Sequence, residues 1–237
     1  MLMRKKSSRK LGFDKSSVLI IMPAYNESNV ISKVIDDVKK EGYESILIID
    51  DGSSDKTYEV SKSKDVFTAR HFINRGVGAA TKTGFEIANL LDKEYIVTMD
   101  SDGQHDPKDI KDLINPLTKD YDIVIGSRFK NRKNMPLFKR FGNTVMNIIT
   151  WFMFGVWTND SQSGFKSFKK ESLKKLNLTS ERYEVCSEII GEIARNDLKM
   201  KEVQINTIYT EHSMSKGTNF FTGIKIFIKL IIKKILK

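Results

Sequence analysis

"VLIIMPAYNESNVISKVIDDVKKEGYESILIID", residues 18–50, opens and closes on apolar runs rich in β-branched residues, with a segment of different period between them. "VLIIMP" (18–23) and "SILIID" (45–50) read as buried strands, while Val30, Ile31, Val34, Ile35 and Val38 fall on one face of a helix. A strand, an amphipathic helix and a second strand make a βαβ unit, which implies a parallel pair. The pattern recurs downstream. Strands are predicted at "VFTARHF" (66–72), "YIVTMD" (95–100) and "YDIVIG" (121–126), with a glycine- and alanine-rich helix from about Val77 to Leu91. "DPKDIKDLINPL" carries an Asp-Pro helix start. The expected fold class is therefore α/β, a mainly parallel sheet with helices on both faces.

Alternation fades after about Phe129, where a helical apolar segment, the loop "NDSQSG" (159–164) and a helix from Glu184 to Arg195 follow. Two short strands, "MKEVQI" and "TIYTEH", close this half, which reads as the acceptor side of the same domain.

At 237 residues, with 40% apolar and 30% charged residues, the chain suits one large globular domain. Its one cysteine, Cys186, excludes an internal disulfide and a multi-cysteine zinc site, and fits a reducing compartment. His71, His105 and His212 are too scattered for a metal cluster and read as surface or packed residues. The formal charge of +10 is concentrated at the ends. Residues 1–17 hold six basic residues against Asp14, and residues 216–237 hold six lysines and no acid, so the body is nearly neutral. No zinc-finger or RNA-recognition motif and no basic stripe interleaved with aromatics marks that body, so nucleic acid is not an expected partner. No secretory signal peptide is apparent. "VMNIITWFMFGVW" (145–157) is shorter than the roughly 20 residues a membrane span needs.

In an open parallel sheet, ligands bind beyond the carboxyl ends of the strands. Four polar clusters follow predicted strands: "PAYNES" with Tyr25, Asn26 and Glu27; "DDGSSDKT"; "MDSDGQHDP" (99–107); and "GSRF". In the third, Asp100, Asp102 and Gln104 alternate, so an extended backbone aims their oxygens one way. Two carboxylates and an amide crowded together call for a hard divalent cation, Mg²⁺ or Mn²⁺, with positions left for water and phosphate oxygens. A nucleoside diphosphate derivative is the implied ligand, with Asp50, Asp51 and Asp55 available to base and ribose. "NRGVGAATKTG" (74–84) has the glycines of a dinucleotide fingerprint but follows the third strand, where a tight turn and close helix packing is the plainer role, beside contact with a nucleotide-bearing ligand.

Taken in order, "PAYNE", "IDDGSSD", "NRGVGAA", "MDSDGQHDP", "GSRF", "NDSQSGF" and Ser215–Lys216 resemble glycosyltransferase family 2, within it the polyprenyl-phosphate (dolichol-phosphate) hexosyltransferases, over about Val18 to Lys216. The resemblance implies a GT-A (Rossmann-like) fold and an inverting transfer of a hexose from GDP-mannose or UDP-glucose to a polyprenyl phosphate. It implies Asp100, Asp102 and Gln104 as metal ligands and Asp100, Asp102 and Arg128 as catalytic residues. Substrate contacts are implied for Pro23, Tyr25, Glu27, Asp51, Gly78, Asp100, Ser101, Arg128, Ser163 and Lys216. Arg128 would clamp a phosphate, with Lys139, Arg140 and Lys216 as point charges; Lys139 and Arg140 equally suit a solvated helix face. Two departures from the family pattern are Lys166, where relatives often carry arginine, and "YTEHSMSK", which lacks their upstream arginine.

Lys225, Lys229, Lys233 and Lys237 recur every fourth residue of an otherwise apolar tail, the pattern of a basic amphipathic helix lying on a membrane, although packing on the core or on a partner helix fits too. The expected organisation is a basic arm (1–16), a glycosyltransferase domain (17–216) and a membrane-interface helix (217–237), peripheral on the cytoplasmic face. The segment 137–157 is either a second interfacial helix or core. Two other functions compete: transfer to a hydroxyl of a glycolipid or glycan, with Glu188 as base, and a noncatalytic nucleotide-sugar-binding membrane module.

Overall fold

The computed structural model describes residues 12–128 and 137–208. The first predicted strand and helix form as β1 (Val18–Ala24) and α1 (Ile31–Lys40), and β2 (Ile46–Asp50) follows in parallel, with Ala24 level with Asp50. Then come α2 (Thr57–Lys62), β3 (Phe67–Arg70), α3 (Val77–Leu90), β4 (Tyr95–Thr98), α4 (Ile110–Ile114) and β5 (Ile123–Ser127). The second half adds α5 (Leu137–Phe154), β6 (Lys166–Lys169), α6 (Lys170–Leu173), α7 (Glu184–Arg195) and β7 (Met200–Gln204).

The seven strands lie in the order β3-β2-β1-β4-β6-β5-β7. All neighbours run parallel except at β6, which is antiparallel to both β4 and β5. The sequence reading missed β6. Its four residues, Lys-Ser-Phe-Lys, have no apolar run to betray a strand, yet three of them are buried. Reversal has a positional effect: the loop before β6, "NDSQSG", arrives at the sheet edge where β4 and β5 end.

Alternate residues of the strands feed two cores. Val18, Ile20 and Met22 face α1 and α4, whereas Leu19 and Ile21 face α3 and α7. Helices thus cover both faces, and buried aliphatics on both sides explain why the strands read as continuous apolar runs rather than alternating ones. Residues 13–15 join the body: Phe13 packs edge-on to Tyr95 and Lys15 Nζ donates to the Glu41 carbonyl at 2.5 Å. The expected tail helix and Lys216 lie outside the described residues, as do residues 1–11 of the expected arm.

Candidate active site

Parallel strands end together, so the loops after β1, β2, β4 and β5 share one edge. The first two are tied by side chain to backbone hydrogen bonds. Asn26 takes a positive φ of 54°, tolerable for asparagine. Its N–H donates to Ser53 Oγ at 2.9 Å, its Oδ1 accepts from the Ser54 N–H, and the Glu27 N–H donates to Thr57 Oγ1 at 2.8 Å. Asp55 joins both loops by accepting from the Ser28 and Thr57 N–H groups and from the Thr57 hydroxyl. Burial raises its pKa, but these hydrogen bonds outweigh burial and bring it to about 2. A carboxyl depressed on folding contributes stability that is complete above its unfolded pKa and disappears as pH falls through the folded one. The stability deficit of Asp55→Asn, about 1 kcal/mol at pH 7, is expected to close as pH drops from about 4 toward 2, measured by thermal unfolding across that range.

Asp51 is 3% exposed and engaged by protein groups. It accepts from the Arg75 and Gly76 N–H groups at 3.0 and 2.7 Å, and His71 Nδ1 lies 2.7 Å from it, while His71 Nε2 reaches Thr83 of α3. Asp51 therefore shapes the "NRGVG" turn. Gly76 and Gly78 have a steric role: a Cβ at Gly78 would stand 2.4 Å from the Ser180 carbonyl, and one at Gly76 2.5 Å from that of Glu181. The Ala79 N–H donates to the same Glu181 carbonyl at 3.0 Å. The turn after β3 is thus packed directly on the segment leading into α7. Glu188 holds that segment from behind, accepting from the Thr179 N–H and hydroxyl and the Ser180 N–H.

Between these walls lies a cleft of about 540 Å³, lined by residues that include Pro23, Tyr25, Asp51, Gly76, Arg182 and Tyr183. A smaller pocket of about 100 Å³ adjoins it, sharing Pro23, Val77 and Tyr183 and reaching Asp100, Gly164 and Lys166. The loop after β4 is fastened to β1 where the Ser101 hydroxyl donates to the Pro23 carbonyl at 2.8 Å. Gly164 backs Asp100 so closely that a Cβ there would stand 2.2 Å from a carboxylate oxygen.

Asp100 and Asp102 differ electrostatically. Burial raises the Asp100 pKa, but the hydrogen bond from His105, at 2.9 Å, and the positive charges of Arg128 and Lys166 hold it below the ordinary range. Burial, and then the charge of Asp100, push Asp102 up. Gln104 stands on Asp102 with both its backbone N–H, at 3.0 Å, and its side-chain amide, at 2.7 Å. Among the described residues no group of three or more His, Cys, Asp or Glu side chains is arranged to hold a metal. Two repelling carboxylates beside an amide, one carboxylate oriented by a histidine, nonetheless fit a hard divalent ion that takes its remaining oxygens from water and a diphosphate.

Arg128 follows β5 and is paired with Asp160 of the "NDSQSG" loop. Its N–H, Nε and Nη2 donate to that carboxylate at 3.0, 2.6 and 2.6 Å. Lys166 is buried opposite Thr98, two residues before Asp100, with its ammonium on the Ser163 carbonyl. Of the residues expected at the site, Pro23, Tyr25 and Asp51 line the larger cleft, and Pro23 and Asp100 the smaller one. Ser101, Ser163 and Gly78 are buried and line neither cavity, although each adjoins in sequence a residue that does. Lys216 lies outside the described residues. Asp160, Arg182 and Tyr183 were not picked out by sequence reasoning, His105 was read as a surface or packed residue, and Lys166 entered only as a departure from the family pattern. His105 and Asp160 sit inside motifs quoted for other residues, so a signal was present, whereas nothing marked Tyr183.

The profile for Glycosyl transferase family 2 matches residues 19–177, well over half the chain. The chain belongs to glycosyltransferase family 2. Its relatives in that family include a protein of Methanocaldococcus jannaschii named only as uncharacterized, 47% identical over 99% of both chains. Another is the UDP-N-acetylglucosamine–dolichyl-phosphate N-acetylglucosaminyltransferase of Methanococcus voltae, 41% identical over 92% of this chain and 96% of that one. In fold, the structure resembles glucosyl-3-phosphoglycerate synthase of Mycobacterium tuberculosis, solved with Mn²⁺, UDP and phosphoglyceric acid. The TM-score is 0.66 at 17% identity, covering 92% of this chain and 78% of that one. The fold is the GT-A type expected, and the protein is a glycosyltransferase.

Proposed function

We propose that this glycosyltransferase moves a sugar from a nucleoside diphosphate sugar to a polyprenyl phosphate of the dolichyl type, working peripherally at the cytoplasmic membrane face with Mg²⁺ or Mn²⁺. The observation that carries this reading is the paired carboxylates Asp100 and Asp102 after β4, with Asp100 lining a small pocket that adjoins a nucleotide-sized cleft and held ionised by the positive charges of Arg128 and Lys166. UDP-N-acetylglucosamine is the first donor to try, because the 41% identical relative bears it in its name; the family resemblance alone pointed to GDP-mannose or UDP-glucose. The Mn²⁺ and UDP held by the M. tuberculosis neighbour support the metal.

Asp100 and Asp102 are the residues to hold the cation, which when bound supplies Lewis-acid charge for the departing diphosphate. The chain does the positioning. His105 fixes one Asp100 oxygen, Gly164 leaves the carboxylate room, and Asp51 sets the turn that walls the nucleotide side. An acceptor phosphate oxygen bonds to the anomeric carbon as that carbon's bond to the diphosphate breaks, inverting its configuration; the nucleoside diphosphate leaves with the electron pair. A phosphate monoester has its second pKa near 6, so the nucleophile is largely ionised at neutral pH and needs no general base. That agrees with Glu188, the base of the hydroxyl-acceptor reading, being buried and engaged by the 179–180 backbone. Among the described residues no helix is long and apolar enough to cross a membrane.

Incubation with labelled UDP-N-acetylglucosamine, UDP-glucose or GDP-mannose, a divalent cation and a polyprenyl phosphate tests the proposal. An acid-labile glycolipid formed from one donor, and suppressed by chelator, is the expected result. Absence of lipid product with all three donors, or label on a hydroxyl acceptor instead, overturns it.

A further inference from the structure

One helix of the second half has two unlike faces. The inner face of α5 carries Met146, Asn147, Thr150 and Met153, all buried. Thr150 Oγ1 meets Ser187 Oγ of α7 at 3.0 Å, and Asn147 binds the site loop, accepting from the Ser161 N–H and hydroxyl and donating to the Asn159 carbonyl. The outer face is apolar and open. Phe141, Ile148, Trp151 and Phe152, with Trp157 just beyond, are 49–77% exposed, and Trp151 and Trp157 meet edge to face at 6.3 Å. Isolated exposed apolar residues are ordinary; a stripe of five, four of them aromatic, along one helix and its exit marks an interaction surface.

Charge identifies the partner. From Ile123 to Asn159 the chain contains no Asp or Glu, although acids number 30 of its 237 residues. The same stretch holds six basic residues, Arg128, Lys130, Arg132, Lys133, Lys139 and Arg140. Arg128 of that set is spent on Asp160, and the stretch keeps an excess of positive charge that a second copy of it would repeat. An anionic bilayer offers the complement, and tryptophan beside aliphatic and basic residues is the composition of helices seated at the lipid headgroup boundary.

We propose that the outer face of α5 is a docking surface for an anionic membrane, with Phe141, Ile148 and Phe152 entering the acyl boundary. This rests on the reading of a lipid acceptor, and it deepens it. Asn147 ties the inner face to the loop that bears Asp160, so a bilayer on the outer face lies about one helix diameter, roughly 10 Å, from that loop. A polyprenyl chain can then remain in lipid while its phosphate enters the site.

The only tryptophans in the sequence are Trp151 and Trp157, so intrinsic fluorescence reports on this face without a label. With full-length protein and vesicles of phosphatidylcholine and phosphatidylglycerol, emission is expected to shift to the blue and to be quenched by brominated acyl chains. Ile148→Ser combined with Phe152→Ser alters two exposed side chains and leaves the inner face intact. It should weaken vesicle partitioning about tenfold or more, with far-UV circular dichroism unchanged. The same variant should keep wild-type turnover of a water-soluble short-chain polyprenyl phosphate and lose it for an acceptor embedded in vesicles. Emission that neither shifts nor quenches overturns the proposal, whether vesicles fail to bind or are held by another segment. So does a blue shift that grows with protein concentration without vesicles, which assigns the face to a second copy. Failure to glycosylate the soluble acceptor would instead refute the lipid-acceptor reading and leave the docking result standing.

Discussion

Asp102→Asn is expected to lower transfer by about 100-fold to 1,000-fold, the scale seen when one group stabilising developing charge is removed, and at the same time to raise the metal-free melting temperature. The two effects share a cause. Burial and the neighbouring charge of Asp100 push the Asp102 pKa up, so the ionised carboxylate is disfavoured in the metal-free fold. A carboxyl raised on folding subtracts stability as pH rises through the unfolded and then the folded pKa, and the subtraction is complete only above the folded one. Asparagine keeps the shape and removes the charge. Mn²⁺ should raise the melting temperature of the wild-type protein by mass action, and this shift should vanish in the variant. Thermal unfolding in chelator and in Mn²⁺, beside the transfer assay, checks all three statements. Full activity in the variant, or a Mn²⁺ shift equal to wild type, removes the metal from these residues.

A loss of about 3–5 kcal/mol is the expectation for Asp160→Ala, because it takes the buried carboxylate away from the Arg128 guanidinium. Three hydrogen bonds go with it, two of them from the planar fork of the arginine. Burial raises the Asp160 pKa and the arginine more than reverses this, leaving it below its ordinary value. The pair thus forms in its charged state. In a chain of this length the loss corresponds to about 6–20 °C in Tm. Asp120→Ala breaks an ion pair with Lys199 in which both partners are mostly exposed, and it should leave Tm unresolved from wild type. Urea unfolding midpoints of the two variants provide the comparison, and equal midpoints contradict the assignment. Arg128→Met added to Asp160→Ala should restore much of the stability, since a largely buried charge deprived of its carboxylate costs more than an absent pair.

These two residues show what a sequence discloses. Asp102 is legible because alternation after an apolar run needs only the two-residue period of an extended backbone to put like charges on one side. Arg128 is legible as a cation at the edge, but an arginine after a strand does not declare whether it faces phosphate or carboxylate. Its partner lies 32 residues away, brought near by a strand that no period announces. The first βαβ unit, α3 and α7 were readable because an amphipathic face or an all-apolar run is a local property, and α7 spans the residues expected for it. By contrast, β6 is a strand by virtue of its neighbours: Thr98 and Ile125 flank Lys166 from either side, and local composition says nothing of that. His105 belongs to the same class, since a histidine three residues beyond Asp102 looks incidental until the loop folds it under Phe165 and onto Asp100.

If the cleft beside them holds the donor, as proposed, the contact of Gly76 and Gly78 with the peptide groups of 180–182 bears on how donor choice can evolve. Where main chain rests on main chain, no rotamer change can widen or narrow the gap, so that side of the cleft is closed to single-residue drift. Variation in the sugar or base accepted must then arise at positions presenting side chains, such as Tyr25, Asn74 and Arg182, or by exchange of the whole turn. Lineages that share this backbone seam can diverge in donor while keeping the seam itself unaltered.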